Sequence, residues 1–426
     1  MMRRELWLSA LFLLAPVAVS ATETLEQAWD VALAVDHRLR AVRENSGAAA
    51  ENLQAAEAAR LPRLSVQAGY SVLDTEPAAR AELGPAQMQF PVAEKNSLSW
   101  QAMATLPLYT GGRIRAGIEA AGAALQASQI QELGEKLALK LRVAEAYVNV
   151  LRARRGVAVA DSHVNSLKSH ARDAENLHEQ GMVPRNDLLA AQVALADARQ
   201  AAIKAKNGLD LARSAYNRLL GRPLEQMVTL ADLQPEPIAD PLPQLTSRAL
   251  NQRPELRVLQ EQIQALQRQA AAIRAETGPQ LALSGGYGYQ QNRYQVHEGQ
   301  WRVELGMQWQ VFDGGLVRHR ASATGRQASA LQAQYDELSS LVALEVRQHW
   351  LAVGETRQRI GVTEQAIVQA EENLRVNRDR YENGLATNSE VLDAETLRTL
   401  SESNHANAIY DAVVAILRLK RAVGEL

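Results

Sequence analysis

"WRVELGMQWQV", residues 301–311, alternates without a break. Trp301, Val303, Leu305, Met307, Trp309 and Val311 fall on one side of an extended chain. Arg302, Glu304, Gly306, Gln308 and Gln310 fall on the other, because successive strand side chains point to opposite faces. Period two held over about ten residues is the length and pattern of a membrane β-strand. A small soluble sheet with one buried face would share the alternation. The aromatic ends of the apolar face and the charges on the other face favour lipid outside and water inside.

Three further stretches repeat the pattern. In "RLSVQAGYSV", residues 63–72, Leu64, Val66, Ala68, Tyr70 and Val72 share a face. In "LSWQAMATLPL", residues 98–108, Leu98, Trp100, Ala102, Ala104 and Leu106 do the same, and further on Leu281, Leu283, Tyr287 and Tyr289. The predicted strands cover about 63–74, 97–108, 280–291 and 300–312. Four strands do not close a barrel, since the smallest have about eight. An open edge in lipid leaves backbone groups without partners. The chain is therefore expected to oligomerise, and a barrel wider than eight strands holds water. That is a channel.

The strands belong to a duplicated unit. At an offset of 217, Leu25, Gln27, Leu39, Arg40 and Pro62 match Leu242, Gln244, Leu256, Arg257 and Pro279. At an offset of 203, Gly111, Gly112, Glu179, Gly181, Leu189 and Gly221 match Gly314, Gly315, Glu382, Gly384, Leu392 and Gly424. The first copy has the longer loop between its strands. Residues 22–220 and 245–426 are the two repeats, each reading helix, two strands, helix, turn, helix. Residues 221–244 hold five of the 14 prolines and read as a linker. No proline interrupts Gly112 to Gln180 or Gly315 to Asn383, which at 1.5 Å per residue predicts helices of roughly 100 Å. The fold class is mainly α with a membrane β-barrel.

The first 21 residues, "MMRRELWLSALFLLAPVAVSA", read as a signal peptide: Arg3 and Arg4, an apolar run, then small residues. The run is too short for a membrane span. The chain has no cysteine, hence no disulfide, thiolate metal site or lipidated cysteine. A formal net charge of −2 gives no reason to expect nucleic acid as a partner. The eight histidines lack ligand spacing, and no nucleophile or acid/base constellation stands out, so no enzyme, metal or cofactor is expected.

The two-copy layout, "LPLYTGGR" (106–113), "WQVFDGGL" (309–316) and the turns "EQGMVPRND" (179–187) and "ENGLATNSE" (382–390) resemble the TolC-type outer membrane efflux protein family. The resemblance implies a homotrimer with a twelve-stranded barrel in the outer membrane of a Gram-negative bacterium and a periplasmic α-helical tunnel. It implies a tripartite export system in which a periplasmic adaptor and an inner-membrane pump or ABC transporter join the tunnel's tip. Members export drugs, metals, small molecules or proteins, the last by type I secretion. The adaptor-docking turns would be Gly181, Met182, Val183 and Gly384, Leu385, Ala386. Tyr381 matches a gate-latch tyrosine, and Glu390 and Asp393 match an acidic pair at the pore entrance. Ala386 stands where some members have a latching arginine.

Glu390 also has a local reading. Thr387-Asn388-Ser389-Glu390 fits S/T-x-x-E, a capping box at a helix start. Asp393 lies one turn further on the same face, and threefold repetition would make a ring of carboxylates, which selects cations. A non-conducting periplasmic coiled-coil scaffold or adaptor would explain the helices and turns but not four alternating strands.

Overall fold

The computed structural model describes residues 22–83, 86–238 and 240–426; the expected signal peptide lies outside them. The chain runs α1 (Leu25–Val35), α2 (His37–Ala58), β1 (Arg63–Val72), β2 (Ala78–Leu83), β3 (Ala86–Pro91), β4 (Asn96–Tyr109), α3 (Arg113–Glu179) and α4 (Arg185–Leu219). It continues with α5 (Leu242–Gln252), α6 (Pro254–Arg274), β5 (Gln280–Gln290), β6 (Gly299–Gln308), α7 (Leu316–Glu382) and α8 (Asn388–Val423). Two compact units share the chain. One comprises the described residues up to His37, Lys136–Thr246 and Glu345–Leu426, and the other Arg38–Glu135 and Ser247–Leu344.

The second unit holds an antiparallel sheet ordered β1-β4-β5-β6. Its register carries the alternation of each strand across the whole sheet. Trp100 sits opposite Tyr289, Ala102 opposite Tyr287, and Tyr287 opposite Trp301. These rings touch, with Trp100–Tyr287 and Tyr287–Trp301 centroids 5.5 and 5.3 Å apart. On the other face, Gln101 donates to Gln67 at 2.8 Å, and Arg302 lies opposite Gly286. Trp301 and Val303 are 80% and 78% exposed in the single chain. Covering such side chains with hydrocarbon is worth about 1.5–3 kcal/mol each. Both outer strands, β1 and β6, have one edge without a partner in the sheet.

Several details differ from expectation. β6 ends at Gln308, not near residue 312, because β5 begins at Gln280, which pairs with Gln308. Trp309 lies past the ladder, its Nε1 donating to the Thr277 carbonyl at 3.0 Å. The longer first loop, expected from the sequence as a loop only, contains the β2–β3 hairpin. Each copy's first helix is broken in two. Arg253 is extended (φ −60, ψ 124) because Pro254 at the next helix's start disfavours an α conformation before it. Asp36, at the matching position, is extended as well (φ −65, ψ 122).

The strand-to-helix junctions show why both copies carry Gly-Gly. Gly111 and Gly112, like Gly314 and Gly315, have positive φ, from 61° to 88°. Two consecutive left-handed residues suit only glycine without strain. The residue before each pair caps the following helix. Asp313 accepts from Gly315 N at 2.7 Å and Val317 N at 2.8 Å, and Thr110 Oγ1 accepts from Ile114 N at 3.4 Å.

In the first unit the linker is pinned to the N-terminal segment. Glu23 bridges to Leu230, Arg222 grips the Glu23 carboxylate at 2.6 and 2.9 Å, and the Tyr147 hydroxyl lies 2.7 and 2.8 Å from the Glu23 and Ala231 carbonyls. Burial pushes the Tyr147 phenol up to about 12.

Candidate functional site

The first unit also contains both turns singled out in the sequence, α3 to α4 and α7 to α8. They are built alike. Gly181, at φ 72°, donates to His178 O at 2.9 Å, and Met182 N donates to Leu177 O at 2.8 Å. Gly384, at φ 71°, donates to Tyr381 O at 3.0 Å, and Leu385 N to Arg380 O at 2.7 Å. Both are Schellman ends, in which a left-handed glycine lets two amides turn back onto the last carbonyls. A side chain clasps each turn: His178 Nδ1 lies 3.0 Å from Val183 O, and Arg380 Nη2 donates to Leu385 O at 3.0 Å.

The six turn residues divide by exposure. Gly181, Met182, Gly384 and Leu385 are exposed, whereas Val183 and Ala386 are partly buried. The latter two pack on Leu374, Tyr381, Val391 and Ala394, so the structure gathers both turns on one apolar cluster. Tyr381 is buried there, its ring 5.3 Å from that of His170. Its hydroxyl has no hydrogen-bond partner among the described residues. Burial pushes this phenol up, and the charges of Asp187 and Asp173 add to the shift.

Glu390 closes the capping box. Its backbone N donates to Thr387 Oγ1 at 3.4 Å, while its Oε1 accepts from Thr387 N at 3.2 Å. Its Oε2 lies 3.4 Å from Arg380 Nη1. Asp393 is exposed. The two carboxylates thus differ: Glu390 is occupied with its own helix start, and Asp393 faces solvent.

Sequence reasoning missed the buried polar contacts behind the turns. His170 Nε2 lies 2.7 Å from Asn388 Oδ1, an arrangement in which the ring nitrogen carries the proton. Asn388 Nδ2 in turn donates to Asp187 O at 3.2 Å, linking the two turns. Glu395, fully buried on α8, accepts from Ser166 Oγ on α3 at 2.5 Å and pairs with Arg378 on α7. The signal available was a carboxylate at a stripe position: 388, 391 and 395 follow the i, i+3, i+7 spacing of a buried helix face.

An open-edged sheet with one lipid-patterned face, joined in one chain to paired glycine-capped helical turns, defines an outer-membrane export channel. The chain belongs to the outer membrane efflux protein family, whose sequence profile matches residues 28–222 and 245–425. It is 25% identical over 422 residues to the outer membrane protein TolC of Vibrio cholerae, covering 95% of this chain and 91% of that one. It is 25% identical over 315 residues to the alkaline protease secretion protein AprF of Pseudomonas aeruginosa, covering 70% of this chain and 63% of the relative. The solved structure of the outer membrane protein VceC of Vibrio cholerae shares the fold, with a TM-score of 0.80 at 18% identity over 94% of this chain and 96% of that one. Members of the family are channels of the outer membrane, not enzymes.

Proposed function

We propose that three copies close their sheets into a twelve-stranded outer-membrane barrel and that the helices continue it as a conduit through the periplasm. The chain is then the exit duct of a tripartite export system. The observation that carries this reading is the sheet itself. It is apolar on one face across all four strands, polar on the other, and unpaired at both outer edges. Backbone groups at such edges have no partner in hydrocarbon unless other chains supply it. Three copies of four strands fall within the size range of membrane barrels and leave a water-holding lumen lined by Gln67, Gln101 and Arg302.

At the helical turns, Gly181, Met182, Gly384 and Leu385 offer an exposed surface to the helical hairpin of a periplasmic adaptor, itself joined to an inner-membrane pump or ABC transporter. Val183 and Ala386 support that surface from beneath. Tyr381 packs the closed tip, and Asp393, with Glu390 beside it, supplies carboxylates to the entrance. The likeness to a protease secretion protein supports type I protein secretion as one cargo class, with small-molecule efflux the other.

Extraction of outer membranes followed by mass measurement in detergent tests the assembly. The expected result is a trimer that dissociates only on heating. A monomeric, periplasm-soluble chain overturns the channel reading.

A further inference from the structure

Near the second turn, the buried face of α8 runs Asn388, Val391, Ala394 and Glu395. Small and neutral side chains are ordinary on a packed helix stripe. A fully buried carboxylate is not, because it loses its water and needs cations and donors in exchange.

Glu395 finds them on two other helices. Its Oε1 accepts from Ser166 Oγ on α3 at 2.5 Å and pairs with Arg378 Nη2 on α7. Its Oε2 faces Arg398 Nη2 and His163 Nδ1, both at 3.7 Å, and has no hydrogen bond among the described residues. Arg398 also faces Glu402 at 3.9 Å, and His163 Nδ1 lies 2.9 Å from Thr399 Oγ1.

Val391 and Ala394 are small and apolar, and such contacts tolerate rotation or sliding of a helix. Directional charged contacts do not, and fixing register is the best-attested use of buried ionic groups. Each helical residue turns the chain by about 100°, so a side chain two positions from Glu395 projects about 200° away. That residue is Asp393, which is exposed.

We infer that Glu395 is a positioning residue. Through Arg378 and Ser166 it fixes the rotation of α8, and that rotation aims Asp393 into the conduit's opening. The inference rests on the proposed placement of Asp393 at the entrance.

The test uses purified full-length protein in planar bilayers, with hexaamminecobalt(III) as a trivalent blocker of cation current. Asp393→Asn should abolish block. Glu395→Gln, with Asp393 untouched, should weaken block by about 10-fold, the scale on which supporting residues act on ion affinity at metal sites. The chain has no native cysteine, which permits a rescue. With Ser166→Cys and Glu395→Cys bridged by a short bifunctional thiol reagent carrying a reducible link, block should return, and reduction should abolish it again. A purely structural role for Glu395 would not produce that reversal.

Wild-type block in Glu395→Gln alongside lost block in Asp393→Asn overturns the positioning role and leaves the entrance reading standing. Wild-type block in both overturns the entrance reading itself, and the inference with it. Should Glu395→Gln fail to form detergent-resistant trimers, Arg378→Gln at the rim of the cluster decides by the same measurement.

Discussion

Arg380 and Glu390 meet beside the second turn, Nη1 3.4 Å from Oε2, while the other Glu390 oxygen closes the cap on Thr387. Glu390 thus holds a helix end, and Asp393 does not. Glu390→Ala keeps the Thr387 cap but should cost about 1 kcal/mol by loss of the bond from Thr387 N and the Arg380 contact, whereas Asp393→Ala should stay within about 0.5 kcal/mol of wild type. Thermal melts of the purified variants check this. Equal losses would mean that Asp393 has a structural partner.

Gly181 and Gly384 have open space where a Cβ would stand, so a Cβ there meets no neighbour and bears the cost of positive φ. For an L-residue that cost is about 1–2 kcal/mol at each turn. The Gly181→Val, Gly384→Val double variant should therefore still assemble in the outer membrane but lose export, because both exposed turns change shape. Detergent-resistant trimer on an unheated gel and cargo release into the medium are the paired readouts. Normal export would remove the turns from adaptor docking.

The two faces of the sheet should tolerate charge very differently. Val303→Arg places a guanidinium in lipid, at about 2–4 kcal/mol near the membrane midplane. Gln67→Arg places one in the water-filled lumen and should cost little. Trimer yield in outer-membrane fractions should fall for the first and hold for the second. The reverse order would invert the assignment of faces.

Burial pushes the Glu395 carboxyl up, but the His163 ring, the Ser166 hydroxyl and the Arg378 and Arg398 guanidinia outweigh it and hold the group below the ordinary carboxylate range. A lowered folded-state pKa means stability present above the unfolded value of about 4.3 and lost as pH falls through the folded one. The melting-temperature gap between wild type and Glu395→Gln should be full at neutral pH and shrink as the medium is acidified below that unfolded value. A gap that ignores pH would show that the charge on Glu395 contributes nothing.

What could be read from the sequence was whatever a local pattern dictates. The alternation from Trp301 to Met307 is set by strand geometry alone, and Thr387-x-x-Glu390 by the amides of one helix end. Pro254 marks the break before α6, but nothing comparable marks the one at Asp36. The β2–β3 hairpin escaped notice because alanines blur its alternation in "AARAEL" and "AQMQFP". Glu395 escaped for a different reason. Ser166 is 229 residues away in sequence, and a charged helical residue ordinarily faces water. Its role depends on a helix crossing that no short window contains.

The bare edges of β1 and β6 also govern how the protein reaches its membrane. A lone chain has no resting place of low free energy: water leaves the face from Trp301 to Met307 uncovered, and hydrocarbon leaves the edge amides and carbonyls unpaired. In the proposed trimer, two sister chains must be found before either problem is solved. Insertion then follows a rate law above first order in newly exported chain, so halving expression lowers the rate of insertion more than twofold. Throughout that interval the same edges can pair with a strand of another protein, so slow production favours mispairing as well as scarcity.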